Sequence, residues 1–340
     1  MTYRRGIVTA GTWCVDLNKT IARWPVEDTV THYLSVDRQG GGSASNMAID
    51  LKRLDPAFPV ATMGVIGDDD AGRFLRGECE RFEIEHSRLV LRDGAVTPFS
   101  DCFNARESGK RTHMFFPGVG DALTPDDFDF SGVAARILHL GLPGAHTRMD
   151  GPWGDETSGW AAVLKKARAA GLQTNLEMMS TTREKLCAWG RSAAPHLDYL
   201  IVNDFEIGAI ADVETREGGA TVTAKVEQAL RKALDLGPMR LVICHFPEAA
   251  LAVARDGSRF ALGSVAMPHE HIVGVNGAGD AFAAGALYGA HEGFGVYESL
   301  RLGHSCAAAS MREAPTTTGV VAVAQCLALA DRYGLRPTPG

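Results

Sequence analysis

Apolar and polar positions along this chain follow two periods in turn. Short apolar runs that suit strands fall at residues 6–10, 60–66, 136–142, 173–178, 199–202, 240–244 and 251–254. Between them lie amphipathic runs that suit helices, at 45–54, 70–82, 159–170, 222–236, 281–291, 296–309 and 320–333. In the first, Ala44, Met47, Ala48, Leu51 and Leu54 share one face at helical spacing. Strand and helix in alternation predict a mainly parallel sheet with helices on both faces. Two stretches break the rhythm, 13–37 and 95–116, where patchy alternation reads as short antiparallel strands. They are far apart in sequence yet able to pair in space, and together they predict a small discontinuous β lid inserted into one main domain. Residues 144–158 are rich in Gly, Pro and Asp and read as a loop.

Composition narrows the class. The chain has 340 residues, 45% of them apolar, enough for one large α/β domain with a small added unit, or for two domains. A formal net charge of −7 argues against nucleic acid as a partner. The longest apolar candidate, Val320 to Ala330, is short and interrupted by Gln325, so it reads as a buried helix and no membrane partner is expected. Arg4 and Arg5 run straight into a strand-like segment, without the apolar stretch of a signal peptide. Seven scattered cysteines form no Cys-x-x-Cys pair, which suits a reducing cytoplasm.

Two glycine-bearing joins carry the candidate chemistry. Asn276-Gly277-Ala278-Gly279-Asp280 leads from a short apolar stretch into a helix of small residues. A helix start leaves amide N–H groups unpaired and attracts an anion through those donors and the helix dipole. Asp280 would repel a phosphate there, so it reads as a base beside a phosphate site, the pairing that phosphoryl transfer to a hydroxyl needs. The same run also fits a tight turn with close helix packing. The other join is Gly40-Gly41-Gly42-Ser43-Ala44-Ser45-Asn46. Its glycines let backbone approach a bound molecule closely, and Asn46 offers both a donor and an acceptor to a hydroxyl. It reads equally as a turn into a helix capped by Ser43 or Ser45. Neither join is a Walker A loop, and neither fits G-x-G-x-x-G.

Other polar groups have simpler readings. His269 and His271 flank Glu270 and would share a face on a strand, but no further ligand pair stands nearby in sequence. Cys244 and His245 would point to opposite faces of a strand, which argues against a Cys–His nucleophilic pair. Arg111, in Gly109-Lys110-Arg111-Thr112, reads as a hairpin turn with solvated charges, or as a side chain reaching from the lid toward substrate.

These motifs together resemble the ribokinase-like, or PfkB, carbohydrate kinases. Gly41-Gly42 with Asn46 is similar to that family's N-terminal signature. Gly64-Val65-Ile66-Gly67-Asp68 resembles the segment that follows it, and Gly277-Ala278-Gly279-Asp280 resembles the C-terminal signature. The resemblance implies a ribokinase-like three-layer sandwich with a β lid. It also implies ATP-dependent phosphorylation of a hydroxyl on a small sugar or sugar-like acceptor. By the same resemblance Asp280 is the base, and Gly277, Ala278 and Gly279 form an anion hole. Asp16, Gly41, Gly42 and Asn46 hold the acceptor. Asn203, Glu206 and Asn276 serve the Mg²⁺ and phosphate side, and the lid mediates a homodimer. Three departures stand out. Gly274-Val275-Asn276 replaces the family's Asp-Thr-Thr, leaving a monovalent cation open. The segment Cys244-His245-Phe246-Pro247-Glu248-Ala249 lacks the glycines usual in the nucleotide loop. The strand at 136–142 ends in Gly141-Leu142-Pro143, without the carboxylate some ribose kinases use. A nucleoside kinase of the same family and a non-catalytic sugar or nucleotide sensor remain alternatives.

Overall fold

The computed structural model describes residues 4–313 and 317–338. In chain order the strands are β1 (Ile7–Gly11), β2 (Cys14–Ile21), β3 (Tyr33–Gly41), β4 (Val60–Gly67), β5 (Glu85–Arg92), β6 (Phe99–Ala105), β7 (Lys110–Phe116), β8 (Ile137–Gly141), β9 (Gln173–Leu176), β10 (Tyr199–Asn203), β11 (Arg216–Glu217), β12 (Ala220–Thr221), β13 (Leu241–Phe246), β14 (Ala249–Ala254) and β15 (Arg259–Gly263). The helices are α1 (Ser43–Leu54), α2 (Asp70–Arg81), α3 (Thr147–Asp150), α4 (Gly159–Ala169), α5 (Arg183–Ala193), α6 (Asp204–Ala211), α7 (Thr223–Leu234), α8 (Ala278–Glu292), α9 (Val296–Ser310) and α10 (Val323–Tyr333).

Nine strands form the main sheet in the order β15-β14-β13-β10-β9-β8-β1-β4-β5. It is parallel from β13 through β5 and closes with an antiparallel pair of joins, β13–β14 and β14–β15. Successive side chains point to opposite faces. Val8 and Leu138 therefore enter one core, with Trp160 of α4, Trp189 of α5 and Leu230 of α7. Ile7 and Ile137 enter the other, with Met47 of α1, Phe282 of α8 and Leu300 of α9. A fully buried Leu or Ile contributes about 1.5–3 kcal/mol through the apolar area it removes from water, so these two layers are what hold the sheet in place.

The second sheet runs β3-β2-β6-β7. Its strands come from the two stretches that break the sequence rhythm, except that β3 runs past residue 37 to Gly41 and so takes in the start of the Gly40–Asn46 join. Within each stretch the pairing is antiparallel, but β2 and β6, which join the two, run parallel. Local patterning expresses hairpins and carries no information about which way distant strands align.

Several expectations change in the structure. Strand β5 was not legible because Glu85, His86, Ser87 and Arg88 open it and it lies at the sheet edge. Helices α5 and α6 also lie where no element was expected. Segment 144–158 is not all loop, since it holds the single turn α3. Helix α1 is buried on nearly every side rather than on one face, and its N-cap is Gly42, with no serine side chain capping it. His269–His271 is a 3₁₀ turn on the surface, not a strand, with His271 Nδ1 2.9 Å from the Tyr333 hydroxyl. Among the described residues no cluster of metal-ligating side chains occurs, and no helix is long and apolar enough to cross a membrane.

Candidate active site

The carboxyl ends of the parallel strands, where open α/β sheets bind ligands, bring the distant motifs together. A cavity of about 530 Å³ is lined there by Asp16 of β2, Gly42, Asn46 of α1, Glu177 beyond β9, and Asn276 and Asp280. Asp16 sits one turn of chain from the end of β1 because β2 leaves the main sheet at once to enter the lid. Its register places it opposite Gln39 and Ser100. Gly41 is glycine for a reason internal to the protein. A Cβ there would stand 2.5–2.6 Å from both Asp16 carboxyl oxygens, too close for any side chain. Burial pushes the Asp16 carboxyl up to about 6, against the opposing pull of Arg111.

Asn46 donates from Nδ2 to Asp280 Oδ2 at 2.8 Å, while its own Oδ1 is buried without a partner. Ser43 Oγ is likewise buried and unpartnered. Polar atoms left without bonds inside a wall are costly unless something completes them, and both lie on this cavity.

Asp280 has a carboxylate neighbour that motif reading missed. Glu177 lines the same cavity, and its charge opposes ionisation of Asp280. His139 Nε2 lies 2.9 Å from Glu177 Oε2, and Asn175 Nδ2 lies 3.0 Å from His139 Nδ1. The amide donates to Nδ1, so Nε2–H donates to Glu177. His139 and Asn175 are register partners across β8 and β9, which is why they meet. Burial keeps His139 neutral, lowered to about 4. Burial, and then the charge of Glu206, raises Glu177 to about 8. Burial, and then Glu177, raises Asp280 to about 7. The strand end at Gly141 lacks a carboxylate, as its sequence reads. The next strand supplies one instead: Glu177 Cβ lies 3.4 Å from where a side chain at Gly141 would begin.

On the other side of the same helix start is a second cavity, of about 400 Å³. Ala278 and Gly279 line it, with Asn203, His245, Phe246 and Phe282 among its walls. Gly277 takes φ 74 as the N-cap of α8, a left-handed conformation that glycine adopts without strain, and no side chain caps the helix. His245 packs on Phe282 with ring centroids 4.9 Å apart, while Cys244 turns into the core on the far face. Arg216 and Arg336 bring positive charge to this cavity, and Arg216 is held by paired bonds to Asp204 at 2.6 and 2.7 Å.

Asn203 and Glu206 form a capping box at the start of α6: Asn203 Oδ1 accepts from the Glu206 amide at 2.9 Å, and Glu206 Oε2 from the Asn203 amide at 3.0 Å. Ser180 donates to the other Glu206 oxygen at 2.9 Å. Burial pushes this carboxyl up to about 7. Only Asn203 of the pair lines the second cavity. Asn276 opens onto the first cavity and the neighbouring space beside β6 and β7. Arg111 is not a solvated turn residue. It sits on β7, its Nη2 donates to Asn18 Oδ1 at 2.9 Å, and its Nε is buried without a partner.

A mainly parallel sheet with a small sheet over its strand ends, and two cavities that meet at one helix start, is the build of a small-molecule kinase. The chain belongs to the pfkB family of carbohydrate kinases, whose model matches residues 5–322. It is 24% identical to a 5-dehydro-2-deoxygluconokinase of Shouchella clausii over 96% of this chain and 95% of that one. Its fold matches ribokinase of Arabidopsis thaliana, solved with ribose and ATP, at a TM-score of 0.78 and 18% identity over 96% and 98% of the two chains. It also matches a nucleoside kinase of Burkholderia thailandensis, solved with inosine, at a TM-score of 0.71 and 16% identity over 98% and 100%.

Proposed function

We propose that the chain transfers the terminal phosphoryl group of ATP to a primary hydroxyl of a small sugar or sugar-like acceptor, with Asp280 as general base. One observation carries this reading: the first turn of α8 is a common wall, with Asp280 facing the cavity that holds Asp16 and Asn46, and Ala278 and Gly279 facing the other. In this reading Asp16 accepts hydrogen bonds from hydroxyls of the acceptor, and the Asn46 Oδ1 accepts one more. Gly41 and Gly42 keep backbone close enough for both. Asp280 removes the proton of the attacking hydroxyl, and the amides of Gly277, Ala278 and Gly279 offset charge on the phosphoryl group in flight.

The nucleotide base fits the apolar walls given by Phe246, Val265, Met267 and Phe282. Mg²⁺ keeps several of its waters. A carboxyl such as Glu206, already bonded within the chain, suits an ion held through water rather than directly, with Asn203 beside it. When bound, the ion offsets phosphate charge. Closure of the lid over the acceptor would exclude water and limit idle hydrolysis of ATP. The lid also exposes Tyr33, Leu34 and Val36 on β3 with Met114, Phe115 and Phe116 on β7, and we read it as the contact of a homodimer.

A nucleoside acceptor is the second reading. Phe115, Leu142, Met178 and Met179 give the acceptor cavity an apolar flank that suits a base. The test is ADP release from ATP across a panel of sugars, sugar acids and nucleosides. Turnover with one class identifies the acceptor. Binding without ADP release across the whole panel would replace the kinase with a sensor.

A further inference from the structure

The acceptor cavity is one-sided in charge. Its carboxyl groups come from separate elements: Asp16 from β2, Glu177 from the end of β9, and Asp280 from α8. Glu206 adds to their field, since its charge acts on Glu177. His113 of β7 is the group on the wall able to become cationic, and partial burial of its ring and then the nearby Arg111 lower its pKa. No lysine or arginine lines this cavity among the described residues. The nearest guanidinium, Arg111, lines the adjoining space, is bonded to Asn18, and acts on Asp16.

Hydrogen-bonding capacity leans toward acceptors. Asn46 Oδ1 is an acceptor with no donor, and Ser43 Oγ, able to donate or accept, is unpaired. With the carboxyl oxygens, they call for a ligand rich in O–H or N–H groups. The geometry points to an acceptor that is uncharged or cationic: a neutral sugar, a polyol, an amino sugar or a nucleoside, with sugar acids rejected and Glu177 as the residue that sets the difference. This inference rests on the reading of the cavity as the acceptor site, and narrows it. The acid acceptor named for the Shouchella relative would be a poor fit here.

Glu177 cannot simply swing aside. His139 Nε2–H holds one oxygen at 2.9 Å, and Asn175 fixes the imidazole at 3.0 Å. At pH 8, above the raised values of Asp16 (about 6) and Asp280 (about 7), an acceptor carboxylate in this cavity would meet ionised carboxyl groups, with Glu177 (about 8) partly ionised beside them. In a partly dry site such a like-charge contact weakens binding by about 10–100-fold.

The experiment uses matched acceptors at pH 8: a neutral sugar, its aldonic acid and its amino derivative, each with ATP. kcat/KM is measured for the wild type and for Glu177→Gln, with the acid-to-neutral ratio as the readout. Calorimetric binding of the same compounds to Asp280→Asn supplies a measure that needs no turnover. The wild type should favour the neutral compound over the acid by about tenfold or more. It should accept the amino derivative about as well as the neutral compound, and Glu177→Gln should raise the acid-to-neutral ratio. Equal use of acid and neutral compounds overturns the inference and leaves the kinase reading standing. So does a preference for the acid that disappears in Arg111→Gln, because that would make Arg111 the reader of an acceptor carboxylate. Neither binding nor turnover of any compound would overturn the acceptor-site reading and this inference with it.

Discussion

The two cavities that meet at α8 are built from opposite materials. In the cavity proposed for the nucleotide much of the wall is apolar, Arg216 is paired with Asp204, Arg336 adds positive charge, and burial keeps the imidazoles His245 and His304 neutral, each lowered to about 4. In the cavity proposed for the acceptor, carboxyl groups gather with no lysine or arginine on the wall among the described residues. One helix turn serves both, and its own dipole does not explain the difference. A helix N-terminus stabilises a nearby carboxylate by about 0.3–1 kcal/mol, which is less than one pKa unit downward. Asp280 instead rises from 3.8 to about 7. Burial and the Glu177 charge therefore outweigh the dipole, and the contrast between the cavities is made by neighbours, not by the helix. A carboxyl held near neutrality is well matched to take a proton at physiological pH.

The most severe way to break the contrast is Asp280→Asn. Turnover should fall by about 10²–10⁴ while both ligands still bind, a combination that rapid kinetics and calorimetry would resolve. Near-normal turnover would remove Asp280 from the mechanism. Gly41→Ala attacks the acceptor side alone. The added Cβ would force the Asp16 carboxyl out of place, so kcat/KM for the acceptor should drop roughly 10–100-fold with KM for ATP unchanged. A matched rise in both constants would mean that Asp16 serves the fold rather than the acceptor.

Glu177→Gln sharpens the comparison through pH. With a raised carboxyl as base, activity climbs as pH rises through about 7. Removing the Glu177 charge takes away one of the forces holding Asp280 up, so the acid limb of kcat/KM should move down by about one pH unit. An unmoved limb would show the two carboxyls to be uncoupled. His245→Ala is the counterpart on the nucleotide side. Loss of the ring packed on Phe282 should raise KM for ATP about two- to tenfold and leave the acceptor constants alone.

The smallest effect concerns stability. Asp50 of α1 is fully buried, both of its carboxyl oxygens lack partners, and burial followed by the Asp280 charge raises its pKa well above normal. The folded state thus keeps a proton that the unfolded chain gives up above about pH 4, so stability falls as pH rises from there. Asp50→Asn should raise Tm by roughly 1–3 °C at pH 8.5 and by less at pH 5.5. An equal gain at both values would trace the effect to packing instead of charge.

What could be read along the chain was whatever neighbours in sequence decide. The helix start at Gly277–Asp280 was legible because glycine, an unpaired amide end and an acidic residue follow one another within a single turn. Strand and helix alternation was legible because period 2 and period 3.6 are local properties, and it implied the parallel sheet. Edge strand β5 escaped because its first residues are polar, and α6 escaped because it is too short and too uniformly buried to show an amphipathic period. The function of Gly41 escaped for a different reason: the group it makes room for, Asp16, lies across a strand pair.

The amino-acid sequence alone determined the class of fold and the residues at the first turn of α8, since both follow from spacing and backbone conformation. Tertiary structure decided that Glu177 would stand against Asp280, that His139 and Asn175 would fix it, and that β2 and β6 would run parallel. Those facts depend on which strands lie side by side, and a carboxyl's charge depends on what surrounds it in space. Burial and electrostatic coupling act over ångströms between residues separated by a hundred positions, so no linear spacing records them.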